Sequence, residues 1–193
     1  MDDLKATIGA SIAEHRAVAA LMDDVVPAIA SAAEAMVASA RSGGTLLVCG
    51  NGGSAADAQH IAAEYVGRYL RDRRPLSALA LHTNTSAVTA ISNDYGFDAV
   101  FARQVRAHGR PGDILLALST SGESANVLAA VLEAREIGMT SIGLCGAAGG
   151  AISNACDIAI DVPSDVTPRV QEMHILVGHI LCGLVEEAIC ARP

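Results

Sequence analysis

Short apolar runs alternate with helix-like patterns along the chain after residue 44. The apolar runs predict five strands, at 45–49, 76–81, 114–118, 141–145 and 158–162. Apolar residues spaced three or four positions apart predict helices at 54–69, 87–91, 97–108, 125–137 and 169–190. Because continuously apolar strands alternate with helices, we expect an α/β fold whose parallel sheet is covered on both faces.

A helical arm precedes the first strand. Alanine and aliphatic residues recur at helical spacing over 2–40, and Pro27 is expected to break this stretch into two helices. The arm is not part of a strand–helix–strand unit, so its apolar surface must pack on its own sheet or on another subunit. We expect a single domain, 1–193, with the arm at 1–42 and the α/β core at 43–193.

The composition indicates a soluble protein without nucleic-acid or membrane partners. In the sequence no uninterrupted apolar run approaches the about 20 residues that span a bilayer, and the N-terminus resembles neither a signal nor a transit peptide. We therefore expect a cytoplasmic protein. The net charge of -8 argues against a nucleic-acid surface, although it leaves room for a phosphorylated small molecule held by neutral donors.

The five cysteines are odd in number and widely spaced. Most lie in apolar stretches, and none forms a C-x-x-C pair. This pattern favours free, mostly buried thiols over disulfides or a zinc knuckle.

A glycine-rich turn follows the first predicted strand. Gly50, Gly52 and Gly53 allow a sharp turn, and Ser54 is a candidate N-cap for the next helix. The turn is either a tight strand–helix connection or an anion cradle at a helix N-terminus. On the same helix, His60 and Glu64 lie four residues apart and therefore share one face, as a structural pair or as a metal or acid–base pair.

A second polar loop follows the third predicted strand. Its four hydroxyl residues are Ser119, Thr120, Ser121 and Ser124. Thr120 and Glu123 have the spacing of a capping box, but a cap needs one hydroxyl. Four hydroxyls at a helix N-terminus favour a phosphate site, and both loops lie where ligands bind in open α/β sheets.

The last predicted helix carries further polar residues among apolar neighbours, namely Gln171, Glu172, His174 and His179. A lone histidine on an apolar helix is usually a core residue, whereas two histidine-bearing helices with acidic partners favour a metal or acid–base site. On a straight helix Gln171 and His179 are about 12 Å apart and about 80° apart in direction. Either the helix begins after Gln171, or the site takes one residue from a second subunit.

Two polar segments keep a structural and a functional interpretation. Arg68, Arg71, Arg73 and Arg74 form a cluster that is either a solvated loop or a source of one sugar-phosphate contact. Asn93-Asp94 is by default a turn, but it could also hold sugar hydroxyls.

Taken together, these motifs resemble the phosphoheptose isomerases, which are sugar isomerase (SIS) domain proteins. The resemblance rests on 49–60 with Glu64, on 93–96, on 119–122, and on 169–172 with His179. It implies an SIS-type three-layer sandwich with a five-stranded parallel sheet.

The resemblance also implies roles for individual residues. Glu64 and His179 would be the catalytic acid–base pair. One zinc ion per subunit would be bound by His60, Glu64, Gln171 and His179. Substrate would contact Asn51, Gly52, Gly53, Glu64, Asn93, Asp94, Ser119, Thr120, Ser121, Ser124 and Gln171. The family forms homotetramers with active sites between subunits, which agrees with the distance between Gln171 and His179.

The activity that the resemblance implies is an aldose–ketose isomerisation. D-sedoheptulose 7-phosphate would be converted to D-glycero-D-manno-heptose 7-phosphate through an enediol(ate), the first step of activated heptose biosynthesis. Two alternatives remain: a non-catalytic SIS protein that binds a sugar phosphate or a replication initiator, and an isomerase of another sugar phosphate. The presence of both Glu64 and His179 favours an enzyme.

Overall fold

A computed structural model describes residues 2–191, and Met1, Arg192 and Pro193 of the predicted domain lie outside the described residues. Its centre is a five-stranded sheet in the order β2-β1-β3-β4-β5. The strands are β1 (Leu46–Gly50), β2 (Ala78–Ala80), β3 (Ile114–Ser119), β4 (Thr140–Cys145) and β5 (Ile158–Asp161). All neighbouring strands are parallel, with Leu46 aligned to Ala78 on one side and to Ile114 on the other. The predicted α/β fold is confirmed.

Helices cover both faces of this sheet. They are α1 (Asp2–Ala20), α2 (Val26–Ser42), α3 (Gly53–Val66), α4 (Thr85–Tyr95), α5 (Val100–His108), α6 (Ala125–Ile137), α7 (Gly150–Ala155) and α8 (Thr167–Cys190). Because side chains alternate along a strand, Leu46 and Val48 face a core shared with α2, α3 and α8. Leu47 and Cys49 face a second core shared with α5, α6 and α7. The result is the expected three-layer arrangement.

Several helix boundaries differ from the predictions. The arm breaks at a 3-10 turn, Met22–Val25, and Pro27 lies in the first turn of α2, where proline is tolerated. The Asn84 side chain caps α4, which then runs through the predicted turn at Asn93-Asp94 and ends at Tyr95, before Gly96, whose φ is +87°. A buried Ile152 anchors α7, which the sequence pattern did not reveal.

The first helix of the arm, α1, makes polar contacts with α8. The Arg169 guanidinium lies 2.7 Å from Glu172 and donates to Ser11 of α1, while His15 of α1 lies 2.8 Å from the other oxygen of Glu172. The apolar residues Leu4, Ile8 and Ile12 of α1 remain exposed. The first helix is therefore attached by these polar groups and by Val18 and Ala19 at its end, which pack on the core.

The final helix is long and apolar enough to cross a membrane by length and composition alone. Its inner face is buried against α2 and α3 and carries core residues such as Met173, Val177 and Leu181. Core helices of globular domains have the same composition, so we attribute the hydropathy of α8 to its central position.

Candidate functional site

The turn between β1 and α3 is tied to the neighbouring helix α6. The amide of Asn51 donates to Asn126 at 2.8 Å and accepts from it at 3.0 Å, and Asn126 is buried. Gly52, with φ of +57°, occupies the N-cap position of α3, and the predicted cap Ser54 is the second residue of the helix and is buried. Our prediction of a Ser54 cap is therefore wrong, because the backbone turns two residues earlier, at a glycine that tolerates a positive φ.

The hydroxyl loop at 119–124 has the geometry of a small anion site. The Ser119 hydroxyl lies 3.1 Å from that of Ser124 and 3.5 Å from that of Ser121. Glu123 does not form the capping box with Thr120, because its carboxylate accepts from Ala151 of α7 at 3.0 Å. The convergent hydroxyls are thus left at the end of β3, where a phosphate oxygen can bond them.

A close backbone contact fixes the shape of this loop. Gly122 has φ of +69°, and a Cβ there would overlap the carbonyl of Gly149 just before α7. Gly122 also accepts a backbone bond from Ile152 at 2.9 Å. The position therefore requires glycine, and α7 serves as the support of the hydroxyl loop.

Two histidines and a carboxylate meet between α3 and α8. The Nε2 atom of His60 lies 3.2 Å from Glu64 Oε1 and 3.1 Å from His179 Nε2. The His60 side chain is 48% exposed and that of Glu64 is 23% exposed, so small molecules can reach the group. The structure thus brings together three of the residues expected to act in catalysis or metal binding.

A glycine allows the two helices to approach. A Cβ at Gly178 would lie 2.7 Å from Ile61, one residue from His60 and His179 on their respective helices. With Gly53 beside Gln171, and Ile61 beside Gly178, α3 and α8 run side by side in the same direction. This close parallel packing is what sets His179 against His60.

Two imidazoles and a carboxylate are donor types that bind zinc. His60 Nε2 lies 3.2 Å from Glu64 and 3.1 Å from His179, close to the about 3.3 Å that separates two ligands of a tetrahedral zinc ion. Within residues 2–191, however, no group of three or more His, Cys, Asp or Glu side chains is arranged so that it could hold a metal ion.

Gln171 lies away from this group in the same chain. Its amide packs on Gly53, where a Cβ would overlap it, at the start of α3. Since α8 begins at Thr167, Gln171 is inside the helix and about 12 Å along it from His179. The first of our two alternatives, a helix that begins after Gln171, is wrong.

Asn93 and Asp94 lie on the exposed last turn of α4, where the amide of Asn93 donates to the Asp94 carboxylate at 2.8 Å. No hydrogen bond or ion pair described for residues 2–191 joins them to the other expected site residues. Their role in substrate binding stays a prediction.

Burial perturbs several groups around the site. It raises the pKa of Asp57, one turn before His60, although the charge of His60 acts in the opposite direction. It lowers the pKa of the fully buried His174 to about 4, partly offset by the bond of its Nε2 to the Cys145 carbonyl at 3.2 Å. His174 is thus the core histidine of α8, and His179 is the one that belongs to the site.

The described cysteines are all free, as expected. Burial raises the pKa of Cys145 and of Cys182 to about 12 in each case. These thiols remain protonated and unreactive near neutral pH.

Sequence reasoning missed the residues that support the site. Tyr69 stacks on His179, with ring centroids 5.5 Å apart. Glu186 is a buried carboxylate on α8, and Asn126 is a buried amide on α6. A charged or amide residue inside an apolar helical stretch is a signal that could have identified Glu186 and Asn126, since such groups are buried only with partners.

Comparison with known proteins agrees with this architecture. The family model described as the SIS domain matches residues 14–146. The chain is 62% identical over 170 residues to the phosphoheptose isomerase of Rhodospirillum rubrum, covering 88% of this chain and 90% of that one.

Solved structures of similar proteins share the whole fold. The phosphoheptose isomerase of Neisseria gonorrhoeae is 46% identical with a TM-score of 0.90, covering 95% of this chain and 99% of that one. The enzyme of the same name from Francisella tularensis is 40% identical with a TM-score of 0.92, covering 97% and 100%. The chain therefore belongs to the SIS domain family and, within it, to the phosphoheptose isomerases.

Proposed function

We propose that this protein is a sugar-phosphate isomerase that converts D-sedoheptulose 7-phosphate to D-glycero-D-manno-heptose 7-phosphate. The observation that carries the proposal is the meeting of His60, Glu64 and His179 between two helices. The hydroxyl loop at 119–124, at the carboxyl end of β3, supplies a separate anion site. The relatives named above, at 40–62% identity, bear the name of this activity.

The reaction moves a proton between two adjacent carbons of the sugar. A carboxylate at the position of Glu64 can remove this proton from one carbon and return it to the other, through an enediol(ate). The imidazole of His179 can donate a proton to the neighbouring oxygen and take it back. His60 contacts both side chains, so Glu64 and His179 lie close together between α3 and α8.

The phosphate end of the substrate is bound, in this proposal, by uncharged hydrogen-bond donors. Ser119, Ser121 and Ser124 place hydroxyls within 3.5 Å of one another, and the start of α6 adds the positive end of its helix dipole. Asn51 is occupied by its two bonds to Asn126. We therefore propose that the 50–53 turn contacts substrate chiefly through its backbone.

A zinc ion completes this proposal. His60, Glu64 and His179 would hold it, together with Gln171, at one ion per subunit. When bound, zinc supplies a Lewis acid that stabilises negative charge on the substrate oxygens. Glu64 and His179 would then need to keep enough freedom to exchange protons with substrate.

The distance between Gln171 and His179 supports an assembly in which active sites lie between subunits, and we propose a homotetramer. Two stripes of exposed apolar residues favour such contacts. One lies on α1 and the other on α8, and their members are Leu4, Ile8, Ile12, Leu176, Ile180 and Leu184. Within each stripe the residues are four positions apart and share one helix face.

The shared site can be tested by mixing variants. Glu64→Gln and Gln171→Ala chains carrying different tags are co-expressed, and mixed oligomers are purified through both tags. If each site takes Glu64 and Gln171 from different chains, some mixed sites carry neither substitution and activity returns. Mixed oligomers as inactive as either parent would contradict the shared site.

We further propose a cytoplasmic enzyme whose partners are a small sugar phosphate and copies of itself. The net charge of -8 gives no support for nucleic acid, and core packing accounts for the apolar composition of α8.

The activity is tested by incubating the protein with D-sedoheptulose 7-phosphate, with and without a chelator, and measuring aldose formation. We expect turnover that is lost with the chelator and restored by zinc, and a Glu64→Gln control that is inactive throughout. Binding of the ketose without any aldose product would instead support a non-catalytic sugar-phosphate-binding protein. Turnover of another ketose phosphate but not this one would reassign the substrate.

A further inference from the structure

The loop between α3 and β2 is held by a buried carboxylate on α8. The Glu186 side chain is only 2% exposed. It accepts three backbone N–H bonds of 2.7–2.8 Å, from Tyr69, Leu70 and Arg71. Burial alone would raise the pKa of Glu186, but these bonds and the nearby Arg73 outweigh it and lower the pKa, so the group is an anion.

Arg73 connects this carboxylate to the end of α3. Its Nε lies 3.3 Å from Glu186, and its side chain is 3% exposed. The rest of the guanidinium donates to the carbonyls of Glu64 at 2.8 Å and Tyr65 at 2.9 Å. These carbonyls belong to the last turn of α3 and lack partners within the helix. The ion pair therefore ties the turn that carries Glu64 to the helix that carries His179.

The loop residue nearest the site is Tyr69. Its ring stacks on His179 with centroids 5.5 Å apart and an angle of 26° between the planes. The ring also lies against Gly183, one turn after His179, where a Cβ would be in ordinary van der Waals contact with Tyr69 at 3.4 Å. The His179 ring also contacts the His60 ring, with centroids 5.1 Å apart and an angle of 61° between the planes. His179 thus contacts two rings, one of which belongs to the loop.

We propose that Glu186 and Arg73 are positioning residues that hold the Tyr69 ring against His179 and thereby fix the direction of the His179 Nε2 atom. The inference rests on the proposed isomerase function. A carboxylate that only anchored the loop could bind the N–H groups of any loop residues. Here, one of the three N–H groups bound by Glu186 belongs to Tyr69, the residue that touches His179. The anchor and the aromatic contact thus form one continuous support.

Two substitutions of Tyr69 test the contact. Tyr69→Phe keeps the ring, and Tyr69→Leu keeps an apolar side chain without it. A stacked pair contributes up to about a factor of ten in an equilibrium, so we expect Tyr69→Leu to lower kcat about tenfold and Tyr69→Phe to retain it. KM is expected to stay unchanged in both, because the hydroxyl loop is not touched. Leu70→Ala in the same loop, where the side chain is 73% exposed, is the matched control.

A second measurement does not depend on turnover. The zinc affinity of the metal-stripped protein is measured by competition with a chromophoric chelator, using zinc alone. Loss of support around a metal ligand typically costs a factor of about 10 to 100 in affinity, so Tyr69→Leu is expected to bind zinc at least about tenfold more weakly. Tyr69→Phe and Leu70→Ala are expected to match the unsubstituted protein.

Glu186→Gln tests the anchor itself. It keeps the shape of the side chain but leaves the Arg73 charge buried without its partner. We expect the same loss of kcat and zinc affinity as in Tyr69→Leu. Since this variant also loses stability, the Tyr69 pair decides the question if Glu186→Gln does not fold.

The outcomes separate this inference from the proposed function. If the unsubstituted protein does not convert sedoheptulose 7-phosphate, the proposed function is wrong. The zinc affinities of the Tyr69 variants still test the positioning role in that case. An active protein whose Tyr69→Leu variant equals it in kcat and in zinc affinity would overturn the inference. A Tyr69→Phe variant as impaired as Tyr69→Leu would overturn it too, because the hydroxyl rather than the stacked ring would then matter.

Discussion

The buried imidazole of His174 makes the stability of this protein depend on pH in the mildly acidic range. The side chain is fully buried, and its pKa is lowered from 6.5 to about 4 by burial, against the bond to the Cys145 carbonyl. In the unfolded chain the ring takes up a proton near its ordinary pKa. The native state resists this proton until the pH approaches 4. Above 6.5 both states are neutral at this residue, so His174 imposes no penalty there.

The magnitude follows from the two pKa values. As the pH falls from 6.5 toward 4, the unfolded state binds one more proton than the native state at this site. Each unit of pH then lowers the free energy of unfolding by up to about 1.4 kcal/mol. Going from about pH 7.5 to about pH 5, His174 alone should lower the free energy of unfolding by about 2 kcal/mol. This is a large share of the roughly 5–15 kcal/mol typical of folded domains.

The assay is urea unfolding at several pH values, with the protomer concentration held constant because assembly contributes to apparent stability. His174→Asn removes the titrating ring, so its free energy of unfolding should fall less steeply between these pH values, by about 2 kcal/mol. His108→Asn, at an exposed position, is the control and should follow the unsubstituted protein. Parallel pH profiles for His174→Asn and the unsubstituted protein would refute the reasoning, whatever their absolute stabilities.

Four further substitutions test the site and the assembly. Glu64→Gln should lower kcat by a factor of about 10² to 10⁴ in the isomerase assay, with an unchanged unfolding midpoint. Ser119→Ala should raise KM about tenfold, since bonds to charged groups are strong; an unchanged KM would exclude a phosphate contact. Gly53→Ala should displace the Gln171 amide and impair turnover without loss of thermal stability, because a flexible side chain can move aside. Leu176→Asp should reduce the mass measured by light scattering, since a carboxylate in an apolar contact is unfavourable.

The strands could be predicted because a strand buried on both faces is a continuous apolar run in the sequence. All positions of β1 and β3 are buried, so an uninterrupted apolar run identifies them directly. The edge strand β2 is the exception, since it pairs only with β1, and its ordered part, Ala78–Ala80, is shorter than the apolar run 76–81. Leu76 and Leu81 lie outside the strand but are buried in the two cores, one on each face of the sheet.

Helix ends were harder to predict because tertiary contacts decide them. Asn93 and Asp94 favour a turn locally, yet α4 continues through them because Val88 and Ile91 pack on the core beneath the helix. The short helix α7 has little periodicity of its own, and it forms where Ile152 is buried and Glu123 reaches its first turn. The core beneath α4 and the Glu123 carboxylate, 28 positions before Ala151, come from parts of the chain that are distant in sequence from these helices.

In the candidate site, too, the contacts between residues near in sequence could be predicted and those between distant residues could not. His60 and Glu64 are one helical turn apart, so sequence spacing alone predicts that they share a face. The hydroxyl loop is likewise continuous in sequence. The contact of His60 with His179, the stacking of Tyr69 and the anchoring by Glu186 join residues more than 100 positions apart. Only the packing of α3 on α8 reveals them.

The register of α3 against α8 determines what one chain can assemble. Gly53 meets Gln171, and Ile61 meets Gly178. Two parallel helices have the same rise per residue, so these two contacts fix the position of His179 beside His60. They also hold Gln171 at the other end, about 12 Å away along α8. At that distance, one ion bound by both Gln171 and His179 of one chain is at the limit of side-chain reach, and a shift of the whole helix would break the close approach at Gly178. The register of the two helices therefore favours a site that takes Gln171 from a second copy of the chain.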